Sequence, residues 1–418
     1  MRFSRPLLDA CTAAFAAVLP LQEPADAALS AFFRGHPKVG QRDRATIADS
    51  AYAALRRRRL LDRIVGRASP RRLVIATWGL LLGASLRDLE PWLRGEEAQW
   101  LAAAKREASE EQPFDVRCEL PDWVLERLRR RFDEPSLLEL AGGLLQTAPL
   151  DLRVNPIKMS REAVAQRLAE DGMRAVPTPY SPDGLRLEGR PAINRHPVFL
   201  EGGVEVQDEG SQLLCHLVAP KRGEMVVDFC AGAGGKTLAL GGLMRSTGRL
   251  YAFDISPKRL AGLKPRLARS GLSNVHPQRI DGANDPRVKR LAGKIDRVLV
   301  DAPCSGLGTL RRNPDMKWRQ SAADVDELVA KQAMLLAAAS RLVKPGGRLV
   351  YATCSILDEE NRAIAQGFLS DHAQFRLIPA AEALARERIA LDTGECFEIW
   401  PHTHGTDGFF AAVFERAN

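Results

Sequence analysis

The stretch that decides the fold is Asp228-Phe229-Cys230-Ala231-Gly232-Ala233-Gly234-Gly235-Lys236-Thr237. The apolar run Met225–Phe229 enters it and helical periodicity follows, so it reads as a glycine-rich turn from strand to helix. Two nucleotide motifs fail by position. A Walker A loop needs glycine where Cys230 stands, and a GxGxxG dinucleotide turn needs glycine at Thr237. What remains is a tight turn where backbone can approach a ligand closely. Outward from it, Leu250–Asp254, Val275–Arg279, Arg297–Val300 and Arg348–Ala352 are further short apolar runs, each followed by turn chemistry and helical spacing. That alternation predicts an α/β domain with a mostly parallel, doubly wound sheet. Such sheets bind ligands at the carboxyl ends of their strands.

The residues at those ends are therefore the candidates. Asp254 closes the second run about twenty residues after Gly232, where an acid grips ribose hydroxyls in doubly wound nucleoside sites. Asp281 follows the third run and can accept from an exocyclic adenine amine. A nucleoside without a required triphosphate is the implied ligand. The fourth run ends Asp301-Ala302-Pro303-Cys304 and the fifth Ala352-Thr353-Cys354, so neighbouring strand ends present one thiol each to one crevice. Cys11, Cys118, Cys215 and Cys396 read as buried, inert thiols, and Cys230 as packing within the turn.

A thiolate has a specific use beside a nucleoside. Carbon 5 of a pyrimidine is too weak a nucleophile to take a methyl group, but thiolate addition at carbon 6 makes an enamine with electron density at carbon 5. Charge then develops along the N3–O2 side, where a carboxyl donating to N3 stabilises it. Asp301 is placed for that. Elimination needs loss of the carbon 5 proton and release of the first cysteine, which a second thiol can assist.

The chain has 418 residues and a net charge of +8, from 60 Lys+Arg against 52 Asp+Glu, which suits an anionic partner. Its 45% hydrophobic and 27% charged residues exclude a disordered tail or a fibrous protein. No uncharged apolar run approaches a membrane span, and Leu7–Pro20 reads as an amphipathic helix rather than a leader, so a soluble protein is expected. Seven scattered cysteines without CxxC spacing point to reduced thiols in the cytoplasm, and seven histidines without HExxH leave no metal expected.

Residues 1–117 are rich in Ala, Leu and Arg at helical spacing, with Arg42–Arg63 and Arg71–Leu86 reading as bundle helices. The run Arg56-Arg57-Arg58-Arg59 is either an RNA track or a solvated face. Residues 118–203 form a proline-punctuated α+β module: a basic helix over Pro121–Phe132, a strand over Leu150–Asn155, a Ser-capped helix over Ser160–Asp171 and a strand over Leu185–Leu187. Residues 204–418 carry the doubly wound pattern.

At these residues the sequence resembles the RsmB/NOP family of RNA cytosine-5 methyltransferases, which use S-adenosylmethionine. The resemblance runs through VQDEGSQ, VVDFCAGAGGKT, YAFDISPKR, the Asp281 loop, DAPCSGLGTLRRNPDMKW, LVYATCSILDEEN and HGTDGFFAAVFER. It implies a Rossmann-like class I methyltransferase domain with Cys354 as nucleophile and Cys304 resolving the adduct. It also implies cofactor contacts from Cys230, Ala231, Gly232, Ala233, Gly234, Gly235, Lys236, Asp254, Asp281 and Asp301. Many members have Ala-Pro where this chain has Gly232-Ala233, which predicts a looser turn. The basic loop Arg311–Trp318 and the helical first third most resemble the bacterial branch acting on small-subunit ribosomal RNA. That branch implies a NusB-like RNA-binding domain over 1–117 and an RRM-like module over 118–203. The expected activity is methylation of cytosine in structured RNA, 16S rRNA first, by a monomer. Transfer RNA remains an alternative substrate. A non-catalytic RNA-binding assembly factor is the alternative of another class, and a DNA enzyme is disfavoured because it has no use for Cys354.

Overall fold

A computed structural model describes residues 3–66 and 69–418. The chain divides into two compact units, Met1–Gln146 with Thr309–Ala322, and Thr147–Gly308 with Ala323–Asn418.

The second unit holds two sheets. The smaller comprises β1 (Leu150–Val154), β2 (Ala175–Pro177), β3 (Gly184–Leu187) and β4 (Val204–Val206), in the order β2-β3-β1-β4. All its pairs are antiparallel. Its last strand lies past the expected boundary at residue 203. Helix Arg161–Glu170 is capped as its spacing predicts, the Ser160 hydroxyl accepting from Ala163 N–H at 3.1 Å.

The larger sheet comprises β5 (Met225–Asp228), β6 (Arg249–Asp254), β7 (Val275–Arg279), β8 (Ile295–Asp301), β9 (Val343–Thr353), β10 (Phe375–Ile378), β11 (Phe397–Ile399) and β12 (Phe409–Arg416). The order is β10-β12-β9-β8-β5-β6-β7, with β11 on β12. Strands β7, β6, β5, β8 and β9 run parallel, and β12 returns antiparallel against β9. The period of two divides the apolar residues between the faces. Val226, Leu250, Ala252, Leu299 and Val350 pack in one cluster, while Val227, Phe253, Val298, Val300 and Leu349 pack in the other. A sheet covered on both faces needs near-continuous apolar strands, which is why the runs are visible in the sequence. After β7 the chain returns to place β8 beside β5, so the strand order reverses there. The carboxyl ends of β5 and β8 flank the resulting crevice.

The first unit is helical. Helix Arg5–Val18 starts from a Ser4 cap and buries Leu7, Leu8, Cys11, Ala14, Phe15 and Val18, the amphipathic face expected. Buried Trp78 donates its indole N–H to Ser50 Oγ at 2.9 Å, so its polar atom is satisfied in the core.

The arginine run, left open between an RNA track and a solvated face, also makes contacts within the helical unit. Helix Arg58–Val65 has no side-chain cap of its own, and buried Glu119 accepts from its first-turn Arg59 and Leu60 N–H groups at 2.8 and 3.1 Å. The arginines gather around that carboxylate and its neighbours: Arg57 pairs with Glu119, Arg58 with Asp62, and Arg59 with Asp115 and Asp122. Arg56 donates to Arg311 O at 2.9 Å. Much of the Arg311–Trp318 loop is buried as well, with Asn313 exposed. Trp318 donates to Leu55 O at 2.8 Å, Asp315 accepts from Ala25 N–H at 3.1 Å, and Lys317 is 2% exposed and donates to Arg56 O at 3.2 Å. Burial pulls the Lys317 amine down to about 7 against the charge of Glu119. These basic residues hold the unit together.

Arg59→Ala removes pairs to the exposed Asp115 and Asp122 and is therefore expected to lower the stability of the helical unit by about 0.5–1.5 kcal/mol. Urea unfolding followed by tryptophan fluorescence checks this. A midpoint within error of the parent would restore Arg59 as a free surface cation.

Candidate active site

The glycine turn leaves β5 and is pinned from several sides. Ala231 N–H donates to Phe253 O and Gly234 N–H to Ala231 O, both at 2.8 Å. Gly234 has φ +84°, and a Cβ there would stand 2.1 Å from Leu263 Cδ1, so only glycine fits. Arg266 holds Ala233 O at 2.8 Å, and buried Arg153 of β1 holds Gly235 O at 2.7 Å. Gly232-Ala233 was expected to loosen the turn; these bonds keep it tight. Arg153 and Arg266 escape a motif reading, because each reaches the turn from an element far away in the chain.

Asp254 is buried at the end of β6. Its Oδ2 accepts from Gly232 N–H at 2.8 Å and its Oδ1 from Ser256 N–H at 2.7 Å. The acid expected to grip a ribose thus also ties the turn to β6. Asp281 is largely exposed at the end of β7 and pairs with Arg279 at 3.4 Å. Asp228 accepts from Thr237 Oγ1 at 2.7 Å, while its other oxygen is buried without a hydrogen-bond partner. Burial pushes the Asp228 carboxyl up to about 7, against that hydrogen bond. A turn whose Gly232 has φ +56° and open space where a side chain would stand, with the Asp254 carboxyl beside it, fits a nucleoside such as S-adenosylmethionine. Cys230 packs against the core, where burial pushes its thiol up, in keeping with a packing role.

The two thiols meet. Parallel pairing sets Asp301 of β8 against Ala352 of β9, so the loops that follow emerge side by side. Cys304 Sγ and Cys354 Sγ are 3.4 Å apart, within S–H···S reach. The hydrogen bond to Cys354, followed by burial, pushes the Cys304 thiol well above its usual value. Gly308 N–H donates to Cys354 O at 2.8 Å, and a Cβ at Gly308 would stand 2.2 Å from Gly408 O, so the loops lock only around glycine. Asp301 accepts from Lys236 Nζ at 2.7 Å. Burial opposes the Lys236 charge, but the adjacent Asp301 carboxylate raises its pKa above the ordinary value. At this corner Lys236 is the donor and Asp301 the acceptor.

Other groups stay out of the chemistry. Cys11, Cys118, Cys215 and Cys396 are buried and in no disulfide among the described residues, with Cys11 pushed up to about 12 by burial. Among the described residues no group of three or more His, Cys, Asp or Glu could hold a metal ion, and no helix is long and apolar enough to cross a membrane.

A doubly wound sheet with a nucleoside turn at its switch point, and paired thiols at the next strand ends, defines the class: an S-adenosylmethionine-dependent methyltransferase. Residues 215–415 match the model of the 16S rRNA methyltransferase RsmB/F family, and residues 120–194 match its ferredoxin-like domain. The probable ribosomal RNA small subunit methyltransferase B of Synechocystis sp. is 39% identical over 298 residues, covering 71% of this chain and 67% of that protein. Ribosomal RNA small subunit methyltransferase B of Erwinia tasmaniensis is 36% identical over 292 residues, covering 70% of this chain and 65% of that protein. The chain thus spans about two thirds of the length of these curated relatives. Among solved structures, PH0851 is 26% identical with a TM-score of 0.80 over 100% of both chains. A methyltransferase homolog protein from Pyrococcus horikoshii is 28% identical with a TM-score of 0.58, over 71% of this chain and 100% of that one. The chain belongs to the RsmB/F family of 16S rRNA methyltransferases.

Proposed function

We propose that the protein methylates carbon 5 of a cytosine in 16S rRNA, in the cytoplasm, through a covalent adduct on Cys354. The contact between the Cys304 and Cys354 sulfurs carries this reading. S-adenosylmethionine supplies the electrophilic methyl group at the turn. The Cys354 thiolate adds to carbon 6, and the charge that develops on the N3–O2 side faces the Lys236 ammonium, which Asp301 orients. Loss of the carbon 5 proton then expels Cys354, with Cys304 beside it. Asp228, Asp254 and the residues Cys230–Lys236 form the cofactor cradle, and Asp281 stands at its open edge. The ribosomal substrate is favoured over transfer RNA by the names of the curated relatives.

Carbon 6 is inaccessible to a side chain within a paired helix, so the cytosine must be extruded from a loop or bulge. The exposed Arg129–Arg131 that follow helix Asp122–Leu128, of which Arg129 pairs with Glu134, and the partly exposed Arg57 and Arg58 form the proposed phosphate track of the helical RNA-binding region.

Incubation with methyl-labelled S-adenosylmethionine and 16S rRNA, 30S subunits or transfer RNA, followed by nucleoside analysis and bisulfite sequencing, tests this. Label as 5-methylcytosine at one 16S position is expected. Label confined to transfer RNA, or to another atom of the base, would overturn it.

A further inference from the structure

Glu360 is 0% exposed and lies against both cysteine loops. Its Oε1 accepts from Ser305 N–H at 2.8 Å and Gln332 Nε2 at 2.9 Å, and its Oε2 accepts from the Ser305 hydroxyl at 2.5 Å and from the Ser355 hydroxyl. Ser305 follows Cys304 and Ser355 follows Cys354, so one carboxylate ties together the residues next to the two thiols. The surroundings reinforce the clamp. Gln332 also donates to Pro303 O at 2.9 Å, and the Tyr351 hydroxyl to Glu360 O at 2.5 Å. Asn361 accepts from Thr353 Oγ1 at 2.5 Å and donates to Ser355 O at 3.0 Å.

All four of these bonds to the carboxyl group come from neutral donors, which hold it in one orientation between the two loops. The charged or titratable groups around Cys304 are Glu360, Cys354, Tyr351 and, at the end of its own strand, Asp301 in its ion pair with Lys236. Of these, Glu360 acts on Cys304 in the direction that favours its thiol.

We propose that Glu360 is a positioning residue: it fixes the two cysteine loops against each other and keeps Cys304 a thiol whose S–H is directed at Cys354 Sγ. This rests on the reading of Cys354 as nucleophile. When the adduct collapses, the carbon 5 proton passes to solvent water and its bonding pair restores the C5–C6 double bond. The Sγ–C6 pair returns to Cys354. The Cys304 S–H hydrogen bond meets that returning charge, so a protonated Cys304 assists release while the anion beside it prevents a competing thiolate. Burial and the hydrogen bond to Cys354 already hold Cys304 protonated, and Glu360 adds to them.

The test is Glu360→Gln, which keeps the shape and removes the charge. Iodoacetamide alkylation is followed against pH, with Cys304 and Cys354 resolved by peptide mass spectrometry on the full chain. Removing a like charge at close range is expected to lower the Cys304 midpoint by about one pH unit or more, making its alkylation at pH 8 roughly tenfold faster. An unmoved Cys304 midpoint in a folded variant would overturn the proposal. Should Glu360→Gln fail to fold by circular dichroism, Glu360→Asp keeps the charge but shortens the reach. It should leave the Cys304 midpoint high while lowering kcat at least tenfold, and unchanged kcat would overturn the clamp. The alkylation needs no RNA, so its outcome is separate from whether the parent methylates 16S rRNA.

Discussion

Cys354→Ala should transfer no measurable methyl group, and Cys304→Ala should stop with RNA covalently attached. The two outcomes differ because addition and elimination are separate steps that use different sulfurs. Without Cys354 there is no thiolate to raise electron density at carbon 5, and a loss of about 10³-fold or more, about 4 kcal/mol in the barrier, is expected. Without Cys304 the nucleophile is intact, but its departing charge has lost the sulfur 3.4 Å away. The adduct should accumulate. Denaturing electrophoresis of each variant with labelled 16S rRNA reads this directly, as a shifted protein band for Cys304→Ala and none for Cys354→Ala. A shifted band from Cys354→Ala instead would reverse the two roles.

The second large effect is expected at Asp254. Its carboxylate carries the Gly232 and Ser256 amides as well as the proposed ribose contact. Asp254→Ala would free the turn from β6 and leave its amides without an acceptor. Bonds to a charged group contribute about 1.5–3 kcal/mol each, so losing the ribose contact alone predicts at least a tenfold weaker S-adenosylmethionine affinity. The freed turn should raise that towards a hundredfold. Asp254→Asn, which keeps one acceptor oxygen, should fall between. Isothermal titration of the three proteins decides it, and equal dissociation constants would mean that neither the turn nor the ribose depends on this acid.

Much of this was legible in the chain because it is local. A strand covered on both faces must be an unbroken apolar run, and the residues after such a run face the crevice. Those two facts located Cys230–Lys236, Asp254, Asp301, Cys304 and Cys354 at the strand ends. Short edge elements were not legible. Strand β4 has three residues and no pattern of its own, and it is a strand only because its backbone pairs with β1.

What the sequence alone determined is therefore the doubly wound sheet, its glycine turn and the order of acids and thiols along it, since each follows from spacing over a few residues. Tertiary structure alone decided which charges are free. By charge Arg56–Arg59 reads as an RNA track or a solvated face, yet Arg57 pairs with Glu119, Arg59 with Asp115, and buried Lys317 donates to Arg56 O, partners far apart in the chain within the helical unit. Glu360 reads as one acid in an acidic stretch, yet it is the buried carboxylate shared by both cysteine loops. A charge on a chain does not state its partner, because pairing depends on distances between segments that only folding brings together.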